Sequence, residues 1–191
     1  MQKYKTPVIF LSLLVVLFVC INFFGTSILR DILGVSDTAL SDDVDTSILD
    51  KQLPSFDLRT VSGDRLRSHT LIGKPSVLLF WATWSRESAD QLKILDDYFL
   101  HNPTQAQLVT VVAVNSQEDP SVASSFIKRG GYQSVVAMDS FGEATLMYKV
   151  KSLPTFYFID SDGLIRDVYR GPLSEQNLVK KVEKLFSDPG V

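Results

Sequence analysis

Two serines separated by two residues, Ser85 and Ser88, lie where a continuous apolar run gives way to a helical pattern. A serine at the start of a helix can accept a hydrogen bond from an unpaired main-chain N–H, and capping is the interpretation we favour for Ser85. The alternative is a serine nucleophile, which needs a base such as histidine within hydrogen-bonding reach. His69 precedes the apolar run and His101 follows the helix, so the sequence places neither histidine beside Ser85.

The composition argues against metal, cofactor and nucleic-acid binding. The chain has one cysteine, Cys20, and two histidines, and these residues do not occur at the spacing of zinc ligands. The acidic run Asp42–Asp45 lacks the glycine turn and the closing glutamate of an EF-hand loop. The formal net charge is −3 and there is no basic run. We therefore predict no metal, no cofactor and no nucleic-acid partner.

An apolar segment near the N-terminus, Pro7–Phe24, contains no charged residue. As a helix it would span about 27 Å, close to the hydrocarbon core of a bilayer, at about 30 Å. Lys3 and Lys5 precede it, so the positive-inside rule predicts a cytoplasmic N-terminus and an extracytoplasmic, periplasmic remainder. The alternative is a cleaved signal peptide, but the run is long and the residues after it lack a small-residue cleavage pattern. We predict an uncleaved single-pass anchor in the plasma (inner) membrane.

The rest of the chain divides into a tether and a domain. We predict an anchor over residues 1–25, an acidic and polar linker over 26–53 without sustained periodicity, and a folded domain over 54–187. In the domain, apolar runs alternate with helical patterns, which predicts an α/β fold with a largely parallel central sheet. We predict helices over 88–100, 121–128, 141–150 and 174–186, and strands over 56–58, 64–66, 76–81, 108–114, 134–138, 155–160 and 164–169.

Two of these predictions concern side-chain orientation. Leu92, Leu95 and Phe99 fall on one stripe of the first helix and should face the core. In the helix over 141–150, Leu146 and Met147 should face inward.

The stretch Phe80–Ser88, which reads FWATWSRES, resembles the active-site segment of thioredoxin-like proteins of the membrane-anchored TlpA/ResA kind. That family has F-W-A-T-W-C-x-x-C at this place. Further segments agree in the same order along roughly residues 53–186, among them Gly73–Pro75, Val114–Pro120, Ser152–Phe156 and Ile159–Gly163. The resemblance implies a thioredoxin-like three-layer α/β/α sandwich with a mixed central sheet, a cis-proline at Pro154, and thiol–disulfide oxidoreductase activity.

The chain departs from the family at its chemical centre, because Ser85 and Ser88 occupy both cysteine positions. In the family, the first cysteine is activated at a helix N-terminus and its thiolate attacks a disulfide. A serine hydroxyl is not ionised at neutral pH and forms no disulfide. Lys93 stands where the family often has proline, and Leu79 where thioredoxin has a buried aspartate. We therefore expect no catalytic residues.

The resemblance also implies a peptide-binding groove that does not depend on thiols. The residues we assign to it are Trp84, Ser85, Arg86, Leu153, Pro154 and Thr155. Trp81 should lie in the core, whereas Trp84 should lie on the exposed rim.

Three functions remain open at this point. The first is a non-redox module that binds an exported protein or peptide client, or a partner in a membrane complex. The second is a thiol–disulfide oxidoreductase, as in cytochrome maturation or periplasmic disulfide reduction, if the serines are engineered or erroneous. The third is a structural subunit of a membrane complex that contributes mainly its Pro7–Phe24 helix.

Overall fold

The computed structural model describes residues 46–187, in which seven strands and five helices follow one another. The strands are β1 (Asp57–Thr60), β2 (Arg65–Arg67), β3 (Ser76–Trp81), β4 (Thr110–Ser116), β5 (Val135–Asp139), β6 (Thr155–Ile159) and β7 (Ile165–Arg170). The helices are α1 (Arg86–His101), α2 (Pro103–Leu108), α3 (Pro120–Gly130), α4 (Glu143–Met147) and α5 (Glu175–Ser187). Short 3-10 helices cover Thr46–Ile48 and Ser68–Leu71.

All seven strands belong to one mixed sheet in the order β2-β1-β5-β4-β3-β6-β7. The central strands β3, β4 and β5 are parallel, and β6 joins β3 in the antiparallel direction. Every residue of β3 is buried, as its continuous apolar run predicts for a strand covered on both faces. Because β3, β4 and β5 are parallel and β6 is antiparallel to β3, the last residues of β3, β4 and β5 lie at the same edge of the sheet as the first residue of β6. We call this the carboxyl edge.

Apolar side chains cover both faces of the sheet. On one face α1, α3 and α5 pack over Val77, Leu79 and Trp81. The predicted stripe of α1 is confirmed, because Leu92, Leu95 and Phe99 are all buried there. On the other face, Leu78 and Phe80 pack in a second cluster that contains Ala144, Tyr148 and Tyr157.

The inward face predicted for the helix over 141–150 is wrong. Helix α4 has only five residues, and Leu146 and Met147 are 79% and 42% exposed. The buried side chains are Ala144 and Tyr148, which lie four residues apart and so share one side of a helical turn. Because Tyr148 fills the space over the sheet, the leucine and methionine turn to solvent.

Residues 46–53, which we predicted as the end of the linker, pack against the β6–β7 hairpin. Ile48 and Leu53 are buried, and the Leu53 N–H donates to Gly163 O at 2.8 Å. Gly163 has φ +82°, and a Cβ there would lie 2.7 Å from Leu53 Cδ2. The packed domain thus begins before Pro54.

The predicted membrane anchor, Pro7–Phe24, lies outside the described residues. Within residues 46–187, no helix combines the length and the apolar composition needed to cross a bilayer.

Candidate functional site

Ser85 lies at the carboxyl edge, immediately before α1, and caps that helix. Its backbone is extended (φ −93°, ψ 99°) and its hydroxyl accepts a long hydrogen bond of 3.4 Å from the Ser88 N–H. The side chain is half-buried. This geometry confirms the capping interpretation, in which the serine occupies the position where a thiolate would be stabilised by the helix.

Ser88 lies fully buried inside the first turn of α1. Its Oγ lies 3.0 Å from Ala82 O and 2.9 Å from Ser85 O, and it accepts a hydrogen bond of 3.2 Å from the Ala82 N–H. One hydroxyl proton is shared between two carbonyl groups, and a lone pair is used by the N–H. The hydroxyl of Ser88 therefore holds the loop from β3 to α1 in shape and has no proton left to give to a substrate.

The two tryptophans, Trp81 at the end of β3 and Trp84 in the loop that follows, are buried and exposed as predicted. Trp81 is fully buried, and its ring centre lies 5.6 Å from that of Phe126. Trp84 is 68% exposed, and the neighbouring Arg86 is also exposed. The loop thus presents one large aromatic surface and one cation to solvent.

A carboxylate that the sequence analysis did not assign to the site fixes the same loop from the other side. Glu118, just beyond β4, accepts hydrogen bonds from the Thr83 N–H at 3.0 Å, from the Thr83 hydroxyl, and from Asn115 Nδ2 at 2.8 Å. The position of Glu118 in the sequence could have indicated this role. An acidic residue that follows a buried strand at the carboxyl edge can reach the loop that follows the neighbouring strand.

The Leu153–Pro154 peptide bond is cis, as the resemblance implies. Phe80 of β3 pairs with Thr155 of β6, so continuing this register places Leu153 beside Ala82, at the start of the Trp84 loop. The Pro154 carbonyl accepts a hydrogen bond from the Gly171 N–H at 2.8 Å. Within residues 46–187, no hydrogen bond uses the main-chain N–H or C=O of Leu153.

Thr155, which was predicted to bind, belongs to the packed interior and does not reach the surface. Its side chain is fully buried, and its hydroxyl donates to Ser152 O at 2.7 Å. Of the six residues predicted to bind, Trp84 and Ser85 lie on the loop before α1, Arg86 is the first residue of α1, and Leu153 and Pro154 lie in the segment before β6. Pro154 is buried.

Neither histidine completes a hydrolytic site. Both rings are exposed, and His101 Nδ1 lies 2.7 Å from Asp97 O, at the far end of α1 from Ser85. In the described part of the chain, no hydrogen bond joins a histidine to Ser85, and no three potential metal ligands converge. At the start of α3, hydrogen bonds from Ser121 lower the pKa of Asp119, which caps that helix.

The comparisons with known proteins agree with this architecture. The model of the AhpC/TSA family matches residues 49–168. The thiol-disulfide oxidoreductase ResA of Bacillus subtilis is 29% identical over 136 residues, which cover 68% of this chain and 75% of ResA. The sporulation thiol-disulfide oxidoreductase A of the same organism is 27% identical over 130 residues, covering 68% of this chain and 78% of the relative.

Among solved structures, a secreted disulfide oxidoreductase of Mycobacterium tuberculosis, homologous to E. coli DsbE, superposes with a TM-score of 0.60 at 26% identity. The match covers 68% of this chain and 95% of that structure. The chain therefore belongs to the AhpC/TSA family of thioredoxin-like proteins, with thiol–disulfide oxidoreductases among its relatives.

Proposed function

We propose that the chain is a membrane-anchored, extracytoplasmic thioredoxin-like protein that binds an extended segment of an exported protein without redox chemistry. The observation that carries the proposal is the state of the two dithiol positions. Ser85 caps α1, and the Ser88 hydroxyl is hydrogen-bonded to the loop before α1. These hydrogen bonds hold the loop in shape, while the two thiols that would transfer electrons are absent.

Thiol–disulfide exchange needs a thiolate that attacks a sulfur and a second thiol that resolves the mixed disulfide. Serine supplies neither, because its hydroxyl is protonated at neutral pH and an oxygen cannot replace sulfur in the exchange. Cys20 is the only cysteine of the chain, and it falls within the predicted anchor. The oxidoreductase alternative therefore requires that serines 85 and 88 be cysteines in the natural chain.

Binding of an extended segment uses groups that remain. The main-chain N–H and C=O of Leu153 can pair with a polypeptide that lies along the loop, in the manner of an added strand. Trp84 offers a large, rigid apolar surface next to that line, and aromatic residues contribute strongly to protein contacts. Arg86 adds a charge at the rim.

Two observations support the proposed location, one from the sequence of the predicted anchor and one from a similar protein. Pro7–Phe24 is long enough to span a bilayer, and Lys3 and Lys5 keep the N-terminus in the cytoplasm. The similar Mycobacterium tuberculosis protein is described as secreted. Both observations support an extracytoplasmic domain.

The direct test uses an unfolded polypeptide whose cysteines are blocked with iodoacetamide, so that thiol chemistry cannot contribute. We expect the full chain to bind this probe in a fluorescence anisotropy titration, and Trp84→Ala to weaken binding at least about tenfold, as for a central aromatic contact. Leu100→Ala is the matched control, because Leu100 is also exposed but lies near the end of α1. Equal binding by wild type, Trp84→Ala and Leu100→Ala would show that the groove is not the binding site.

Deleting the predicted anchor distinguishes the structural-subunit alternative from the binding of an extended segment. If a chain that lacks Pro7–Phe24 still binds the blocked polypeptide in the same Trp84-dependent way, the exported domain carries the function. If complex formation follows the helix and ignores Trp84, the chain acts as a structural subunit.

A further inference from the structure

The most exposed large apolar side chain of the described residues belongs to Phe141, just beyond β5. It is 90% exposed, compared with 68% for Trp84. The turn that carries it, Asp139–Gly142, is closed by a hydrogen bond of 3.1 Å from the Gly142 N–H to Asp139 O. Gly142 has φ +74°, a conformation that glycine adopts without strain. The phenylalanine therefore projects to solvent from a closed turn.

Asp139 fixes this turn from inside the domain. Its buried carboxylate accepts hydrogen bonds from the Ala144 N–H at 3.2 Å, the Thr145 N–H at 2.7 Å and the Thr145 hydroxyl at 2.6 Å. Its main-chain oxygen also accepts from the Gln117 N–H at 2.9 Å. An aromatic side chain on a fixed turn loses little conformational freedom on binding, and such residues anchor protein interfaces.

A cavity of about 550 Å³ lies next to Phe141, between β1, the start of α3 and the turn after β5. Leu58, Val61 and Met138 contribute apolar surface to its wall. Phe141 also lines it, with most of its side chain outside. One surface thus carries both a projecting aromatic side chain and an apolar cavity that can receive one.

Two exposed side chains of opposite charge line the same cavity, Arg59 on β1 and Glu143 at the start of α4. In the part of the chain that the structure describes, no hydrogen bond or salt bridge uses either side chain. The acidic residue of β1, Asp57, is bound by Arg65 and Arg67. Both charges are therefore free to pair with a molecule that covers the cavity.

A second copy of the chain supplies the complement of each of these features. In an isologous interface, residue i of one copy contacts residue j of the other, and residue j contacts residue i. Phe141 of each copy can then enter the cavity of the other. Arg59 of each copy can meet Glu143 of the other, so that the two opposite charges are paired twice.

We infer that this surface, formed by Phe141, Arg59, Glu143 and the cavity between them, is the interface of a symmetric homodimer. It uses none of the residues assigned to the peptide-binding groove, so the dimer is independent of the proposed function. Because the surface offers one aromatic anchor and one exposed ion pair per copy, we expect a dissociation constant of roughly 1–100 μM.

Sedimentation equilibrium of the full chain in a neutrally buoyant detergent measures this dimer and keeps the predicted anchor in solution. Phe141→Ser should weaken the dimer at least about tenfold, as for a central aromatic contact. Leu100→Ser is the matched control, because Leu100 is 59% exposed but lies near the end of α1, outside the cavity lining. Its dissociation constant should stay within about twofold of wild type.

Charge reversal tests the two-fold arrangement. Arg59→Glu alone creates two pairs of like charges across the interface, and so does Glu143→Arg alone. Each should weaken the dimer about tenfold at about 50 mM NaCl, and less at about 500 mM. An equimolar mixture of the two variants has both pairs opposite again and should form a heterodimer within about threefold of the wild-type affinity.

Lys128→Glu is the control for charge reversal, because Lys128 is exposed on α3 outside the cavity lining. It should leave the dimer unchanged within about twofold and should not recover affinity when mixed with Glu143→Arg. Recovery in the mixture of Arg59→Glu with Glu143→Arg also requires both variants to be folded, so it separates a lost contact from a lost fold.

Three results would overturn the inference. One is a wild-type chain that stays monomeric up to about 100 μM. Another is a dimer that Phe141→Ser leaves intact, because its contacts would then lie elsewhere, for example in the predicted anchor. The third is a dimer that the mixture of Arg59→Glu and Glu143→Arg does not restore, because Arg59 and Glu143 would then not face each other across a two-fold axis.

Discussion

Ser88 shows how a single atom changes the role of a position at the start of α1. A cysteine sulfur at this place would be a weak hydrogen-bond partner, whereas the serine oxygen interacts with the Ala82 N–H and with two carbonyl oxygens at 2.9–3.2 Å. The substitution therefore removes sulfur chemistry and strengthens the connection between β3 and α1. A site altered in this way retains its outline, which is the property that a binding module needs.

The hydrogen bonds of Ser88 predict a measurable loss of stability in Ser88→Ala. The variant leaves the Ala82 N–H and the Ser85 carbonyl without this partner in a buried place, and we expect the free energy of unfolding to fall by about 1–3 kcal/mol. Urea unfolding followed by circular dichroism measures the change. Ser55→Ala, at an exposed serine, should stay within about 0.5 kcal/mol of wild type. Equal stability of the two variants would mean that the Ser88 network is not formed in solution.

Restoring the dithiol tests whether the scaffold is otherwise intact. We expect no disulfide reduction by the wild-type chain and measurable turnover by S85C/S88C in an insulin reduction assay with dithiothreitol. Each single cysteine variant should trap a mixed disulfide or stay inactive, because the resolving or the attacking thiol is missing. Turnover by the purified wild-type chain, with contaminating reductases excluded, would overturn the non-redox proposal.

At the scale of elements, Asp96 ties α1 to the segment that enters β5. Its carboxylate is buried and accepts hydrogen bonds from the Gln133 N–H at 3.0 Å, the Ser134 N–H at 2.6 Å and the Ser134 hydroxyl at 2.6 Å. The helix that carries the Ser85 cap is thereby fixed relative to the sheet at its middle as well as at its start.

Adjacent aspartates allow a matched test of that connection. Asp96→Ala leaves three donors without an acceptor, and we expect a loss of about 2–4 kcal/mol in the free energy of unfolding. Asp97→Ala removes only a partly exposed pair with Lys93 one turn away, worth about 0.3–0.5 kcal/mol. Chemical denaturation of both variants provides the comparison. Similar losses in the two would show that Asp96 does not join these elements.

Elements with a clear period were predictable from the sequence, and those decided by packing were not. The sequence pattern predicts β3 and β4 from their continuous apolar runs and α1 from its apolar stripe. Burial on one or both faces leaves such a regular pattern in the sequence. The orientation of α4 depends on Tyr148 filling the space over Phe80, with ring centres 5.3 Å apart, and local periodicity does not show this.

The candidate site shows the same division. The motif placed Ser85, Trp84 and Pro154 together, because their spacing follows that of a known family. The brace from Glu118 to Thr83 joins residues 35 positions apart, and the hydrogen bonds of Ser88 depend on the path of the loop. Neither can be read from the order of residues along the chain.

At the scale of the whole molecule, the anchor hypothesis predicts how the chain partitions. We expect the full chain to remain in the membrane pellet after alkaline carbonate extraction. Leu14→Arg with Val15→Arg places two charges near the centre of Pro7–Phe24, at a cost of about 2.5–3.5 kcal/mol each, and should release the chain. Ser36→Arg, in the predicted linker, should leave it in the pellet. Release of the wild-type chain would indicate a peripheral or cleaved form.

A tyrosine buried in the core links the stability of the whole domain to alkaline pH. Tyr148 is fully buried, and its hydroxyl donates to Pro54 O at 3.1 Å. Burial raises the pKa of Tyr148 far above its usual range, and the neighbouring Tyr157 adds to the effect. Above about pH 10 an unfolded tyrosine loses its proton while the folded one keeps it, so the unfolded state binds fewer protons and stability falls as pH rises.

We therefore expect the free energy of unfolding of the wild type to decline between about pH 9 and 11, by up to about 1.4 kcal/mol per pH unit from this group above pH 10. Tyr148→Phe should be about 1 kcal/mol less stable at neutral pH, because the bond to Pro54 O is lost, and should decline less steeply. Tyr132→Phe removes a less buried tyrosine whose pKa is also raised by burial, so its profile should change less. The measurement is the urea concentration at the unfolding midpoint, as a function of pH. If this midpoint falls equally with pH in wild type and Tyr148→Phe, Tyr148 does not control alkaline unfolding.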